Sequence, residues 1–382
     1  MKTGKVIIGA NYGDEGKGLL TDYFASQHPE DSLVVRFNGG AQAGHTVIAP
    51  DGRRHIFSHF GSGTLAGAPT FLSKFFIVNP LIFLKEFSEL LQTGVSPQIR
   101  IDANAMLTTP FDMFINQTIE NRRGKMRHGS CGLGINESVT RSMRAPHLRL
   151  AASDMLSAKT LRRKLYALKE SWFNPRLTEL HLDPDCAEVQ NFLNHIDCIL
   201  DKFVADSQTV AAIAAISKHY PDARIIIFEG AQGLMLDEDR IDQFPHVTRS
   251  KTGLTNVIHL APGFGIDRLD VTYISRTYLT RHGAGPLDGE CDWKFPDSTN
   301  IPNQFQGQLR FAPLVLQTLN ENIQHDLRRA QGKLKLSADV AMTCADQVPL
   351  PPDTAALSLP VNYFSYGPTR SDIARALTCS MR

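Results

Sequence analysis

Gly13-Asp14-Glu15-Gly16-Lys17-Gly18 follows the apolar run Val6-Ile7-Ile8-Gly9-Ala10 and precedes Leu19-Leu20-Thr21-Asp22-Tyr23-Phe24. The apolar run reads as a buried strand. The segment after the glycines reads as a helix with Leu19, Leu20, Tyr23 and Phe24 turned inward. Strand, glycine turn and helix together make a phosphate cradle, because backbone N–H groups converge where the helix N-terminus is partly positive. The glycines let the backbone approach closely and Lys17 supplies a point charge. The spacing departs from the common G-x-x-x-x-G-K-[ST] loop. Two roles are open to Asp14: a Mg²⁺ ligand, or a base beside the phosphates. The alternative is a tight βα turn with solvated charges.

A second strand is expected at Leu33-Val34-Val35-Arg36-Phe37, running into the turn 38–47, which contains Gly39, Gly40, Gln42, Gly44 and His45. Ligands of open α/β sheets sit at the carboxyl ends of strands, so both turns should face one site. His45 is a candidate for that site; its alternative is a surface loop histidine. The continuous apolar run Ile225-Ile226-Ile227-Phe228 reads as a buried parallel strand. It delivers Glu229-Gly230-Ala231-Gln232-Gly233 to the same edge. Further strands are expected at 99–101, 273–279 and 340–343, and helices at 81–91, 111–119 and 314–327. The dense turn His128 to Glu137 suggests an oxyanion loop. Pro245-His246-Val247-Thr248-Arg249-Ser250 is a polar turn carrying hydroxyls and a cation. Residues 153–220 read as helical, with Ser153 as N-cap and a break at Asp183-Pro184-Asp185. Residues 289–311 form a long aperiodic loop, and 348–352 a Pro-rich surface connection.

Length and composition are those of an ordinary globular chain: 382 residues, 42% hydrophobic, 21% charged, net charge +1. A balance so close to neutral does not favour nucleic acid as a partner. The six cysteines make no C-x-x-C pair, which argues against a zinc site or a disulfide framework. No apolar run is long enough to span a membrane and no signal pattern precedes Lys5. A cytoplasmic protein is expected.

The glycine loops, taken in order, resemble the adenylosuccinate synthetase family. The motifs are Gly13 to Gly18, Gly44-His45-Thr46, Glu229 to Gly233, Gly283-Ala284-Gly285-Pro286 and Gly367-Pro368-Thr369-Arg370. The resemblance implies an α/β fold with a large, mostly parallel sheet and a P-loop-like nucleotide site. It also implies a single domain over 1–382 with a helical insertion at about 153–220. The implied chemistry is a carbon–nitrogen ligation: O6 of inosinate (IMP) attacks the γ-phosphate of GTP, and L-aspartate then displaces phosphate from the 6-phosphoryl intermediate.

By the same resemblance, Asp14 is the general base, His45 the general acid, and Lys17 and Gln232 complete the catalytic set. An aqueous carboxyl titrates near ~4, so Asp14 needs the purine close and water excluded. Asp14 and the carbonyl of Gly44 would hold Mg²⁺. Gly13, Glu15, Gly16, Lys17, Gly18, Thr46, Asp346, Ser365 and Gly367 would contact GTP. Asp346 lies in Thr343-Cys344-Ala345-Asp346, where a carboxylate can accept from guanine N1–H and N2–H₂ and so disfavours ATP. Gln42, Ser130, Cys131, Gln232 and Thr248 would surround the purine nucleotide. Gly307 and Arg310 are what remains of the aspartate loop, and Arg141 matches an arginine donated across a homodimer interface.

Three departures from the family pattern stand out. Gln42 replaces an asparagine, Cys344 replaces a lysine, and 303–311 lacks the arginine cluster suited to a dicarboxylate. In a divergent phage branch of the family, some enzymes join aspartate to deoxyguanylate to make 2-aminoadenylosuccinate, so GMP or dGMP is the alternative acceptor. Asp14 favours hypoxanthine, because a carboxylate at N1 crowds a 2-amino group. A nucleotide sensor without ligase activity is the third reading, and it requires neither Asp14 nor His45.

Overall fold

The computed structural model describes residues 2–124, 128–295, 308–348 and 353–376. Strand Thr3–Gly9 lies at the centre of a sheet that counts ten strands among the described residues. Its neighbours are Ile225–Gly233 on one side and Arg268–Arg276 on the other, both parallel to it. Ser32–Arg36, Thr70–Leu72, Ile99–Asp102 and Ala215–Ser217 extend the first side. Lys335–Thr343 and Val361–Ser365 extend the second in parallel, and Ile373–Arg375 closes that edge antiparallel. Val6, Ile7, Ile8, Ile226, Ile227 and Phe228 are fully buried. A strand covered on both faces has no polar side to show, and its sequence is accordingly a continuous apolar run. The expected fold class is therefore the observed one.

Parallel strands end on a common edge. The segments that follow Thr3–Gly9, Ser32–Arg36, Ile225–Gly233, Arg268–Arg276 and Lys335–Thr343 all emerge there. The glycine-rich motifs occupy these segments, and the site is assembled from residues more than 300 positions apart.

Helix Lys17–Gln27 begins after Gly16, whose φ of 98° lies in the left-handed region that glycine adopts without penalty. Pro80–Gln92 is capped by Asn79, whose side chain accepts from the amides of Leu81 and Ile82. In the segment expected to be helical, the helices are Ala158–Leu168, Asn174–Glu179, Ala187–Asn194 and Ile196–Ile213. Ser153 is not a helix cap: it lies within a 3₁₀ turn, Ala152–Leu156, and Ser157 caps the following helix by accepting from Thr160 N. Ala215–Ser217, inside the same segment, is an edge strand of the main sheet. The helices share one core with residues 47–115. Phe111 and Phe114 meet Phe173 and Phe192 there, with Phe114 and Phe192 stacked at 4.2 Å. Such pairs add about 0.5–1.5 kcal/mol each beyond burial. The dense turn expected over 128–137 gives way at its end to the helix Ile135–Arg144. The strand expected over 273–279 ends at Arg276, and Tyr278–Arg281 pairs instead with Arg310–Pro313. Most of 289–311 and of the Pro-rich connection lies outside the described residues.

Glu86 fixes the turn that leads into the site. Its carboxylate accepts from the amides of Ser58, His59 and Phe60 at 2.9, 2.7 and 3.2 Å. Burial alone would raise its pKa, but His55, His59 and the His59 amide hold it at about 2. A depressed carboxyl stabilises the fold above its unfolded-state pKa, and that stability is lost as pH falls towards the folded value. Glu86→Gln should therefore lower unfolding free energy by about 2–3 kcal/mol at pH 7. Measured by denaturant titration, the gap between wild type and variant should shrink steadily below about pH 4. A pH-independent gap would contradict the role given to the charge.

Candidate active site

Glu15 folds back under the first glycine loop. Its Oε1 accepts from the amides of Asn11 at 3.1 Å and Gly13 at 2.8 Å, and its Oε2 accepts from Lys17 Nζ at 2.6 Å. Glu15 is only 2% exposed. Burial alone would raise its pKa; Lys17 and the loop amides bring it below the ordinary carboxylate range. The second acid of the motif thus braces the loop and neutralises the lysine. Gly9 must lack a side chain because a Cβ there would lie 2.3 Å from Glu15 Oε2. Asp14, with φ 59°, points away from this brace, and its Oδ2 lies 3.4 Å from His282 Nε2. Arg276 Nε donates to the carbonyl of Asp14 at 2.6 Å.

His45 is buried against the end of Ile225–Gly233. Its Nδ1 lies 2.6 Å from Glu229 Oε1 and its Nε2 lies 3.1 Å from the Ala231 carbonyl. Both neighbours are acceptors, so both hydrogen bonds form together only when the ring carries both protons. Burial pushes the imidazole pKa down and Glu229 opposes it. Glu229 also accepts from the amide of Ser62 at 3.0 Å and from the Ser62 hydroxyl. Burial would raise this carboxyl, yet Arg36, His45 and Ser62 bring it down to about 2. A carboxylate held this firmly fixes the plane of the imidazole, as an orienting group does in a catalytic dyad.

Asp14, Lys17 and His45 line one cavity of about 1030 Å³, large enough for more than one ligand. Gly13, Glu15, Gly16, Gly18, Gln42, Gly44, Thr46, Ser130, Cys131, Gln232, Thr248, Asp346, Ser365 and Gly367 line it too. Both amide atoms of Gln42 and the Gln232 oxygen are buried without a partner among the described residues, as groups awaiting a polar ligand or water would be. Cys131 is held protonated at neutral pH, since burial pushes its thiol up to about 11.

Two expectations are corrected here. Arg141 is 0% exposed and lies outside the cavity wall. Its guanidinium makes a two-pronged bond to Asp112, at 3.0 and 2.9 Å, and donates to the carbonyls of Leu148 and Leu107. With its donors engaged in the interior, it is not placed to reach a partner subunit. Arg310 does not line the cavity either: it pairs with Glu290 at 2.6 Å and donates to the Gly285 carbonyl. Gly307 lies outside the described residues.

The structure also brings to the site residues to which the sequence assigns no individual role. Glu229 ends an apolar strand with an acid, which was a legible signal, but its partner His45 is 184 residues away. Arg281 stacks over Tyr12 at 4.4 Å and donates to Gln243, Pro286 and His246. His282 carried no signal of its own beside the glycines that follow it.

Residues 6–311 match the family model of adenylosuccinate synthetase. The chain belongs to the adenylosuccinate synthetase family. The enzyme of that name from Neisseria gonorrhoeae is 33% identical over 292 residues, covering 75% of this chain and 64% of the relative. That from Haloarcula marismortui is 30% identical over 314 residues, covering 79% and 67%. The aligned part thus spans slightly under two thirds of the gonococcal relative. The family match stops before Thr343–Asp346 and Ser365–Gly367. Among solved structures, a fully ligated adenylosuccinate synthetase from Plasmodium falciparum superposes with a TM-score of 0.72 at 17% identity, covering 98% of this chain and all of that one. The cyanophage S-2L succinoaminodeoxyadenylate synthetase, bound to dGMP and dATP, superposes with a TM-score of 0.65 at 16% identity, covering 98% and 95%. At these identities the likeness concerns the fold.

The correction at Arg141 has a direct check. Arg141→Ala leaves Asp112 buried and unpaired, which should cost about 3–5 kcal/mol in unfolding free energy. Nucleotide binding per folded molecule should persist. A variant of unchanged stability that loses nucleotide binding would return Arg141 to the site.

Proposed function

We propose that this chain catalyses a GTP- and Mg²⁺-dependent ligation of L-aspartate to C6 of a purine nucleoside monophosphate, with IMP as the acceptor, in the cytoplasm. The observation that carries the reading is the convergence of Asp14, Lys17 and the His45–Glu229 pair on one cavity. In the first step, the Asp14 carboxylate takes the N1 proton as O6 attacks the γ-phosphorus. The O6–P bond forms and the bond from phosphorus to the bridging oxygen breaks, leaving GDP. His45 keeps Nδ1 on Glu229 and turns its Nε2–H from the Ala231 carbonyl to the phosphoryl oxygens, where negative charge gathers. In the second step the aspartate amine adds to C6, and the C6–O6 bond breaks with inorganic phosphate as leaving group.

Asp14 and the Gly44 carbonyl are hard oxygen donors on the cavity wall, the type Mg²⁺ takes alongside substrate phosphates. When bound there, Mg²⁺ supplies charge neutralisation between the phosphates. Lys17, whose charge Glu15 balances, keeps further N–H donors for the phosphates, and Gly13 to Gly18 present amides to them. Asp346, exposed at the cavity mouth, supports guanine as the donor base. A homodimer remains part of this reading through the family, without Arg141 as its link.

Phosphate release is measured with GTP, Mg²⁺ and aspartate while IMP, dIMP, GMP and dGMP are offered separately. IMP should support release. Release with GMP or dGMP alone would assign the chain to 2-aminopurine chemistry, and nucleotide binding with no release would favour a sensor. Asp14→Asn is the cleanest variant, because asparagine tolerates the left-handed backbone. Its kcat should fall roughly 10²–10⁴-fold with little change in melting temperature. Turnover near wild type in this variant would remove Asp14 as the base.

A further inference from the structure

We propose that Arg249 anchors the anionic end of a substrate in the cavity: the 5′-phosphate of the purine nucleotide or a carboxylate of the amino acid. The inference rests on the ligase reading and supplies it with an oxyanion site that Arg141 and Arg310 do not provide. Most of the cavity's permanent cations are already engaged. Lys17 is held by Glu15, and Arg123 by Glu120. Arg276 donates to the Asp14 carbonyl and to the Tyr278 hydroxyl. Arg281 donates to Gln243 and to two carbonyls.

Arg249 differs. It lines the cavity beside Thr248, and its Nε is buried without a hydrogen-bond partner among the described residues. The contact found for its Nη2 is the Met143 thioether sulfur at 3.2 Å, a weak acceptor. The acids close to it in sequence are taken by others: Asp239 by Lys251 and Arg329, and Glu238 by Lys251. Met143 is two-thirds exposed, so the guanidinium sits at the rim, over the helix that contributes Asn136 and Thr140 to the same wall.

A buried guanidinium donor with no acceptor is costly, and a bidentate oxyanion removes that cost. A planar fork matches phosphate or carboxylate better than an ammonium does. The neighbouring Thr248 hydroxyl suits the same anion.

The test is titration calorimetry on the full chain with IMP, inosine, dGMP, deoxyguanosine and L-aspartate, together with KM for each substrate that turns over. Arg249→Ala should weaken one anionic partner about 30-fold or more. If the phosphate is the anchored group, IMP or dGMP loses affinity while its nucleoside does not. If a carboxylate is anchored, aspartate binding or its KM changes and the nucleotides do not. Arg249→Lys should recover only part of the loss. Unchanged affinity for both classes overturns the assignment. So does equal weakening of nucleotide, nucleoside and aspartate, which would mean a distorted cavity. Wild-type binding without turnover would defeat the ligase reading alone, and the comparison with Arg249→Ala would still decide this one. A wild type that binds neither nucleotide nor aspartate overturns both.

Discussion

The site depends on strand Thr3–Gly9 being clamped in parallel between Ile225–Gly233 and Arg268–Arg276. Parallel pairing puts the carboxyl ends of all three on one edge. The register Ile7 to Glu229 and Ile7 to Thr272 then sets Asn11–Gly16, Glu229–Gln232 and Thr277–Pro286 side by side. None of these segments could form a site alone. The apolar side chains of the three strands drive the pairing, and the loops carry the polar groups that cannot be buried within it.

Burying charge beside a reactive cavity is costly unless each charge has a partner. Glu15 faces Lys17 and two amides; Glu229 faces His45, Arg36 and Ser62; Asp112 faces Arg141; Glu86 faces three amides and two histidines. The outcome at the site is preorganisation: the glycine loop and the imidazole are held before any substrate arrives. Asp14 is the contrast. It is left partly exposed in the cavity with His282 alongside, as the proposed proton acceptor would be.

What the sequence disclosed follows from this physics. Val6–Ala10 and Ile225–Phe228 were legible because a strand buried on both faces has no choice of pattern. The glycine loops were legible because the left-handed backbone at Gly13 and Gly16 favours glycine. Ala215–Ser217 was not, since three residues at a sheet edge leave no periodicity against a helical background. The pairing of Arg310–Pro313 with Tyr278–Arg281 was hidden for a similar reason, and with it the diversion of Arg310 to Glu290. Arg141 misled because a residue's type does not reveal which way its helix faces. The His45–Glu229 contact spans almost half the chain, and no local pattern encodes it.

The central claim is that O6 of the purine is activated by phosphorylation before the amine arrives. It is tested most directly with IMP carrying ¹⁸O at C6, incubated with GTP, Mg²⁺ and aspartate. Mass spectrometry of the released phosphate then reports where the oxygen went. The account predicts one ¹⁸O atom in each phosphate released. Phosphate free of label, with the isotope retained in the purine or lost to water, would contradict it.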